Sequence, residues 1–283
     1  MRTPLALTLG DPAGIGPDIT LAAWRGRDEH KLDPFVVVGD ADALRARADQ
    51  LGIDVTIEQV ASFAEGCDAF EGALPVRHAA LSVPAEAGLP NAANARAIIS
   101  AIGDCVAAVH RGEAAAIVTN PIAKHVLYGA GFSHPGQTEF LGALADRYWP
   151  MTASDDARLP VMMLASEALT VIPLTIHEPI ARVPAMITVS RLTAVARTVC
   201  ESLSKDFALA RPRVSIAGLN PHAGEFGTIG TEERDVIMPA IDRLRDEGFD
   251  VRGPFSADTL FHAEARESYD AVVTMYHDQA LIP

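Results

Sequence analysis

Short runs of consecutive apolar residues, each cut off by a turn-forming residue, alternate along this chain with stretches of helical periodicity. Leu5-Ala6-Leu7-Thr8-Leu9 ends at Gly10-Asp11-Pro12, Phe35-Val36-Val37-Val38 at Gly39-Asp40, and Ala115-Ala116-Ile117-Val118 at Thr119-Asn120-Pro121. Further runs are Val161 to Leu164, Leu169 to Leu174, Val214 to Ala217 and Ala271 to Met275. A strand that is apolar without alternation must be covered on both faces, which is the condition of a parallel sheet between layers of helix. The intervening segments supply those helices. Asp40 to Leu51 opens on an Asp cap and stops at Gly52, and Asn91 to Arg111 closes at Gly112. Val189 to Leu203 and Glu232 to Glu247 carry the same spacing, the second stopping at Gly248. The alternation predicts an α/β protein with largely parallel strands. At 283 residues the chain exceeds the usual size of one domain. Two lobes sharing a cleft, forming one catalytic unit over residues 1–283, are therefore expected, with the polar stretch Thr152 to Arg158 read as a loop or lobe crossing.

Charge narrows the partners. With 37 acidic against 23 basic residues the formal net charge is -14, which repels nucleic acid and anionic membrane surfaces. A small anionic substrate stays compatible, because local cations can override the global field. Cys67, Cys105 and Cys200 lie far apart with no C-x-x-C pair, a pattern suited to a reducing compartment. The opening MRTPLALTLGDPAG reads as a first strand rather than a signal peptide. No apolar stretch approaches the roughly 20 residues that span a bilayer. The expectation is a cytoplasmic protein with neither nucleic acid nor membrane as partner.

Chemistry-bearing residues collect where strands end. Gly10-Asp11-Pro12-Ala13-Gly14-Ile15-Gly16-Pro17-Asp18 follows the first strand and forces a tight turn. Its backbone N–H groups could face a phosphate, or it could be a purely structural strand–helix turn; G-x-G-x-x-G spacing is absent. Thr119-Asn120-Pro121-Ile122-Ala123-Lys124 ends another strand and places Lys124 in the first turn of the next helix, an unfavourable position for a cation. Either Lys124 is solvated or it serves a ligand. In Pro135-Gly136-Gln137-Thr138-Glu139-Phe140 a turn leads into a helix, where Gln137 or Thr138 is either a cap or an anion contact. His177, His222 and His277 each follow a strand, so parallel strands would bring all three to one sheet edge. Imidazole is the commonest metal ligand, and three leave coordination positions open for substrate. Asp258 and Asp278 could orient a ligand or shuttle a proton, and either could equally cap a helix.

Taken together, GDPAGIGPD at 10–18, TNPIAK at 119–124, GQTEFL at 136–141, TIHEP at 175–179, GLNPHAGE at 218–225, GP-x-x-ADT-x-F at 253–261 and MYHDQALIP at 275–283 resemble the 4-hydroxythreonine-4-phosphate dehydrogenase family of vitamin B6 biosynthesis, in the family's order. The resemblance implies a two-domain α/β fold similar to isocitrate and isopropylmalate dehydrogenases, with a cleft between lobes. That fold binds its nicotinamide cofactor without the usual glycine fingerprint. It implies a homodimer with the active site at the subunit interface, and a divalent metal (Zn, Co, Mn or Mg) on His177, His222 and His277. It also implies substrate binding by Gln137 and Thr138, where the family usually carries His-Thr. Glutamine keeps a binding role there but cannot titrate near neutrality. The implied reaction oxidises 4-phosphooxy-L-threonine at C3 with NAD or NADP and then decarboxylates the product to 3-amino-2-oxopropyl phosphate, with Lys124, Asp258 and Asp278 as candidates for proton transfer. The family's chain normally continues past the point matching Pro283 with a substrate-contacting Lys, then Asn and Arg, and cofactor-binding loops, so no cofactor-binding residue is assigned here. Two other activities remain open: a dehydrogenase of threonate or erythronate 4-phosphate, and a metal-dependent hydrolase. A non-catalytic binding module would leave these motifs without a task.

Overall fold

The computed structural model describes residues 3–149 and 160–283; the stretch 152–158, expected to be a loop or lobe crossing, lies outside the described residues. The chain divides into two compact units, Met1–Pro150 and Met151–Pro283.

In the first unit the order is β1 (Leu5–Thr8), α1 (Gly16–Arg25), β2 (Phe35–Gly39), α2 (Ala41–Leu51), β3 (Ile57–Gln59), α3 (Phe63–Ala69), β4 (Leu74–His78), α4 (Ala95–His110), β5 (Ile117–Thr119), α5 (Lys124–Gly129) and α6 (Gln137–Tyr148). Among the described residues its sheet runs β3-β4-β2-β1-β5, with each neighbouring pair parallel. Both faces are covered. Leu7, Leu9 and Val37 pack with Leu21, Trp24 and Leu44 of α1 and α2, while Ala6, Val36 and Val38 pack with Ala101, Cys105 and Ala108 of α4. That double covering is why β1 and β2 read as unbroken apolar runs. Asp40 caps α2 through Oδ1, accepting from the N–H groups of Asp42 and Ala43 at 2.8 and 2.9 Å, and its Oδ2 accepts from Leu81 N–H at 2.8 Å.

The helical stretch Ala92–His110, of 19 residues and mean hydropathy 1.4, passes a length-and-composition criterion for a membrane span. Half of it is buried, however, and Ile98, Ala101, Ile102 and Cys105 are core residues of this unit.

The second unit comprises β6 (Leu164–Ala165), β7 (Thr170–Pro173), α7 (Val183–Met186), α8 (Val189–Lys205), β8 (Arg213–Ala217), α9 (Met238–Asp246), β9 (Asp250–Phe255), α10 (Ala263–Arg266), β10 (Ala271–Thr274) and α11 (His277–Leu281). The described strands are ordered β6-β7-β10-β8-β9. β7, β10, β8 and β9 are mutually parallel, and β6 is an antiparallel edge. The apolar run Val161 to Leu164 thus contributes only its last residue to a strand, because it flanks the sheet rather than entering it. Ile172, Ile216 and Val273 pack under Leu192, Val195, Ile241 and Leu244 of α8 and α9. Val171, Ala217 and Val272 face Leu260 and Tyr269 on the other side. The expected helix Glu232 to Glu247 is resolved into a π-turn at Glu233–Ile237 continuing into α9. Both units therefore show the α/β architecture with largely parallel strands that the alternation predicts.

Candidate active site

In the second unit the strand order does the positioning. β10 lies between β7 and β8, with Thr274 opposite Pro173 and Val273 opposite Ile216. The residues that follow these strands, His177 after β7, His277 after β10 and His222 after β8, therefore emerge at the C-terminal ends of three adjacent parallel strands, the edge where such sheets carry their ligands. Three hydrogen bonds lock these ends together. Thr175 Oγ1 donates to the Met275 carbonyl at 2.8 Å, and Gln279 Nε2 donates to the Gly218 carbonyl at 3.0 Å while its Oε1 accepts from Met275 N–H at 2.9 Å. The His177 and His277 rings lie side by side, centroids 5.7 Å apart and planes inclined by 45°.

Each of two histidines engages one ring nitrogen with a carboxylate. His277 Nδ1 lies 2.8 Å from Asp278 Oδ1, and His222 Nδ1 lies 2.6 Å from Glu225 Oε1. Such a contact fixes ring orientation and leaves Nε2 for a ligand, the usual support of a metal-binding imidazole. Asp258 follows β9, the next strand along, and accepts from the Ser256 hydroxyl. Among the described residues no three His, Cys, Asp or Glu side chains are grouped to hold one ion. The structure thus brings His177 and His277 together, with His222 and Asp258 on successive neighbouring strands.

The backbone carrying His222 is unusual. His222, Ala223, Gly224, Glu225 and Phe226 all have positive φ, from 41° to 78°, forming a left-handed turn. Non-glycine residues avoid this region by about 1–2 kcal/mol each, so the surroundings must hold it. Glu233, 4% exposed, does so, accepting from Asn220 N–H at 2.7 Å and Asn220 Nδ2 at 2.9 Å. Beside it, Asn220 Nδ2 also donates to Glu232 at 2.7 Å, which holds that carboxyl below its ordinary range. Phe226, at the end of the turn, is fully exposed.

The first unit gathers a second group of residues around the end of β5. Gly10, at φ 74°, turns the chain after β1 so tightly that a Cβ there would lie 2.5 Å from the Pro121 carbonyl oxygen. Asp11 N–H donates to that carbonyl at 2.9 Å. Asn120 is buried and ties the strand ends together, its Nδ2 donating to the Thr8 carbonyl at 3.0 Å and to Thr20 Oγ1 at 2.8 Å. Gln137, the first residue of α6, donates from Nε2 to the Asn120 carbonyl at 3.0 Å. Thr138 follows it, exposed, in the first turn. The α6 N-terminus has no side-chain cap, so its leading N–H groups remain available to an anion. Lys124 opens α5, as the sequence indicates, and is exposed. A Cβ on Gly136 would stand 3.4 Å from Lys124 Nζ and 3.0 Å from Glu139 Oε2, so the lysine ammonium and a carboxylate flank the residue that precedes α6.

Several residues in these two groups were not singled out from sequence: Asp11, Asn120, Glu225, Glu233 and Gln279. Asp11, Asn120, Glu225 and Gln279 sit inside motifs that were read, but a polar residue in a turn gives no sign of whether it hydrogen-bonds the chain or a ligand. Glu225 had the strongest available signal, its spacing from His222 within one turn.

Residues 30–283 match the family described as the pyridoxal phosphate biosynthetic protein PdxA. The chain is 50% identical over 282 residues to a 4-hydroxythreonine-4-phosphate dehydrogenase of Methylorubrum extorquens, a match covering 99% of this chain and 79% of the relative. It is 51% identical to one from Methylorubrum populi with the same coverage. A crystal structure of 4-hydroxythreonine-4-phosphate dehydrogenase from Klebsiella pneumoniae is similar with a TM-score of 0.84 and 32% identity, over 100% of this chain and 84% of the other. The chain belongs to the family of the pyridoxal phosphate biosynthetic protein PdxA.

Proposed function

We propose that this protein is a 4-hydroxythreonine-4-phosphate dehydrogenase. It oxidises the C3 hydroxyl of 4-phosphooxy-L-threonine with NAD or NADP and releases carbon dioxide from the resulting β-keto acid to leave 3-amino-2-oxopropyl phosphate. The observation that carries this reading is the placement of His177, His277 and His222 behind three adjacent parallel strands, in a chain half identical to relatives bearing that name.

The donor set suits a divalent metal: imidazoles behind adjacent strands, two with Nδ1 already engaged by a carboxylate, offer ring nitrogen to a borderline-soft ion. When bound, such an ion supplies Lewis-acid polarisation of the hydroxyl oxygen, and the nicotinamide accepts the hydride. The chain's own residues then bind and move protons. Lys124, Thr138 and the uncapped α6 N-terminus hold the anionic end of the substrate, and Gln137 contacts the substrate elsewhere through its side-chain amide. Asp278 orients His277. The hydroxyl proton leaves to a base and a proton returns to C2 once C1 departs as carbon dioxide, tasks for which Lys124 and Asp258 are in reach of solvent. The full chain acts as one catalytic unit, in the cytoplasm, as a homodimer with its active site at the subunit interface.

Metal content measured after dialysis against zinc, alongside turnover, tests the reading. His222→Ala should lose metal and turnover together while keeping its far-UV circular dichroism; full activity in metal-free protein overturns the assignment.

A further inference from the structure

Asp11 and Asp40 make an internal comparison. Both are aspartates beyond the end of a parallel strand, and both are buried, at 4% and 8% exposure. Asp40 spends both carboxylate oxygens on backbone donors. Asp11 uses only one, Oδ1 accepting from Ala13 N–H at 2.9 Å. Among the described residues its Oδ2 is buried without a hydrogen-bond partner. The turn needs only Oδ1, which an asparagine would offer equally well. A buried carboxylate oxygen without a donor is destabilising, so this charge is not explained by the turn.

A second orphan belongs to a residue bonded to the same strand end. Gln137 Oε1 is likewise buried without a donor, although its Nε2 donates to the Asn120 carbonyl. Asp11 N–H donates to the next carbonyl along the chain, that of Pro121. Two unmatched acceptors, one of them a carboxylate oxygen, thus belong to residues anchored on consecutive carbonyls, Asp11 by its backbone and Gln137 by its side chain, at the ligand-bearing end of β5. An anion is repelled by such a pair. A group that only accepts hydrogen bonds gains nothing from it.

We infer that Asp11 Oδ2 and Gln137 Oε1 form an acceptor pair that receives a nitrogen-borne N–H donor of a reactant. The inference rests on the proposed activity, which offers two such donors: the ammonium of the amino-acid substrate and the carboxamide NH2 of the nicotinamide. With the ammonium as occupant, Asp11 selects an amino substrate over the otherwise identical hydroxy acid.

The test compares wild type, Asp11→Asn and Gln137→Met in the full-length protein. Asparagine preserves the Oδ1 contact to Ala13 while replacing Oδ2 by a donor, and methionine removes the second acceptor at similar volume. Initial rates are measured with 4-phosphooxy-L-threonine and with its analogue carrying hydroxyl in place of the 2-amino group. They are measured again with the natural dinucleotide against its 3-acetylpyridine analogue, which lacks the NH2. If the ammonium is bound, the amino-over-hydroxy ratio of kcat/KM falls about tenfold or more in Asp11→Asn, mostly in KM. If the carboxamide is bound, the preference for the natural dinucleotide collapses instead. A merely structural role lowers all rates together and moves neither ratio. Should Asp11→Asn fail to fold, Gln137→Met reads the same two ratios. Unchanged ratios in the folded variants of an active enzyme overturn the inference. An inactive wild type on both substrates overturns the proposed activity, and the inference with it.

Discussion

Replacing Phe226 by glycine should make this protein more stable, although it deletes a large aromatic side chain. Phe226 has φ 57° and ψ 25°, and a relative exposure of 106%, so its ring contributes no packing that the substitution could remove. The left-handed backbone is disfavoured for a residue with a Cβ by about 1–2 kcal/mol. Glycine escapes that penalty but has a more disordered unfolded chain, which offsets about 0.5–1 kcal/mol. The balance is a gain of roughly 0.5–1 kcal/mol, or about 1–4 °C in Tm for a protein of this size. Differential scanning calorimetry of Phe226→Gly and Phe226→Ala separates the causes, because alanine keeps the Cβ and should leave Tm nearly unchanged. A lower Tm for the glycine variant, or equal gains for both, would refute the backbone argument.

Asn120→Ala removes the buried donor to the Thr8 carbonyl and Thr20 hydroxyl and should cost about 2–3 kcal/mol in urea unfolding; a loss below about 0.5 kcal/mol would show that water replaces it freely. Cys105 and Cys200 have thiols pushed up to about 12 by burial, so a thiol-specific reagent at pH 8 should leave both unmodified until denaturant is added, and mass spectrometry of labelled peptides reads the result. Arg213 donates to both oxygens of Asp270, at 2.9 and 3.2 Å, and holds that carboxyl below its ordinary range. A depressed folded value means the pair's contribution is present above about pH 4, the unfolded carboxyl's value, and is lost as pH falls through the folded one. Asp270→Asn should therefore flatten the acid side of the Tm–pH profile; an unchanged slope would remove the pair from that account.

Strands buried on both faces were legible because nothing in them alternates: β1, β2 and β10 stand where their apolar runs stand. β3, β4 and β9 were not. Ile57–Gln59 is a short edge strand with two exposed polar residues. Leu74–His78 carries Pro75, and Asp250–Phe255 carries Gly253-Pro254, residues that read as breaks in a strand. Neighbouring strands supply the pairing that local preference lacks. The histidines could be placed at strand ends from sequence, but their adjacency depends on β10 inserting between β7 and β8, a crossover no local pattern encodes. In the sequence Asp11 reads as part of a turn, and only its unmatched Oδ2 separates it from Asp40.

Turnover of the purified full-length protein on 4-phosphooxy-L-threonine with NAD and with NADP, followed by absorbance at 340 nm and carbon dioxide release together, decides whether it is this dehydrogenase. Reduced nicotinamide and carbon dioxide should form in equal amounts, lost on chelation of the metal and restored by adding it back. Oxidation of threonate or erythronate 4-phosphate with none of the amino substrate, or release of inorganic phosphate without any reduced nicotinamide, would contradict it.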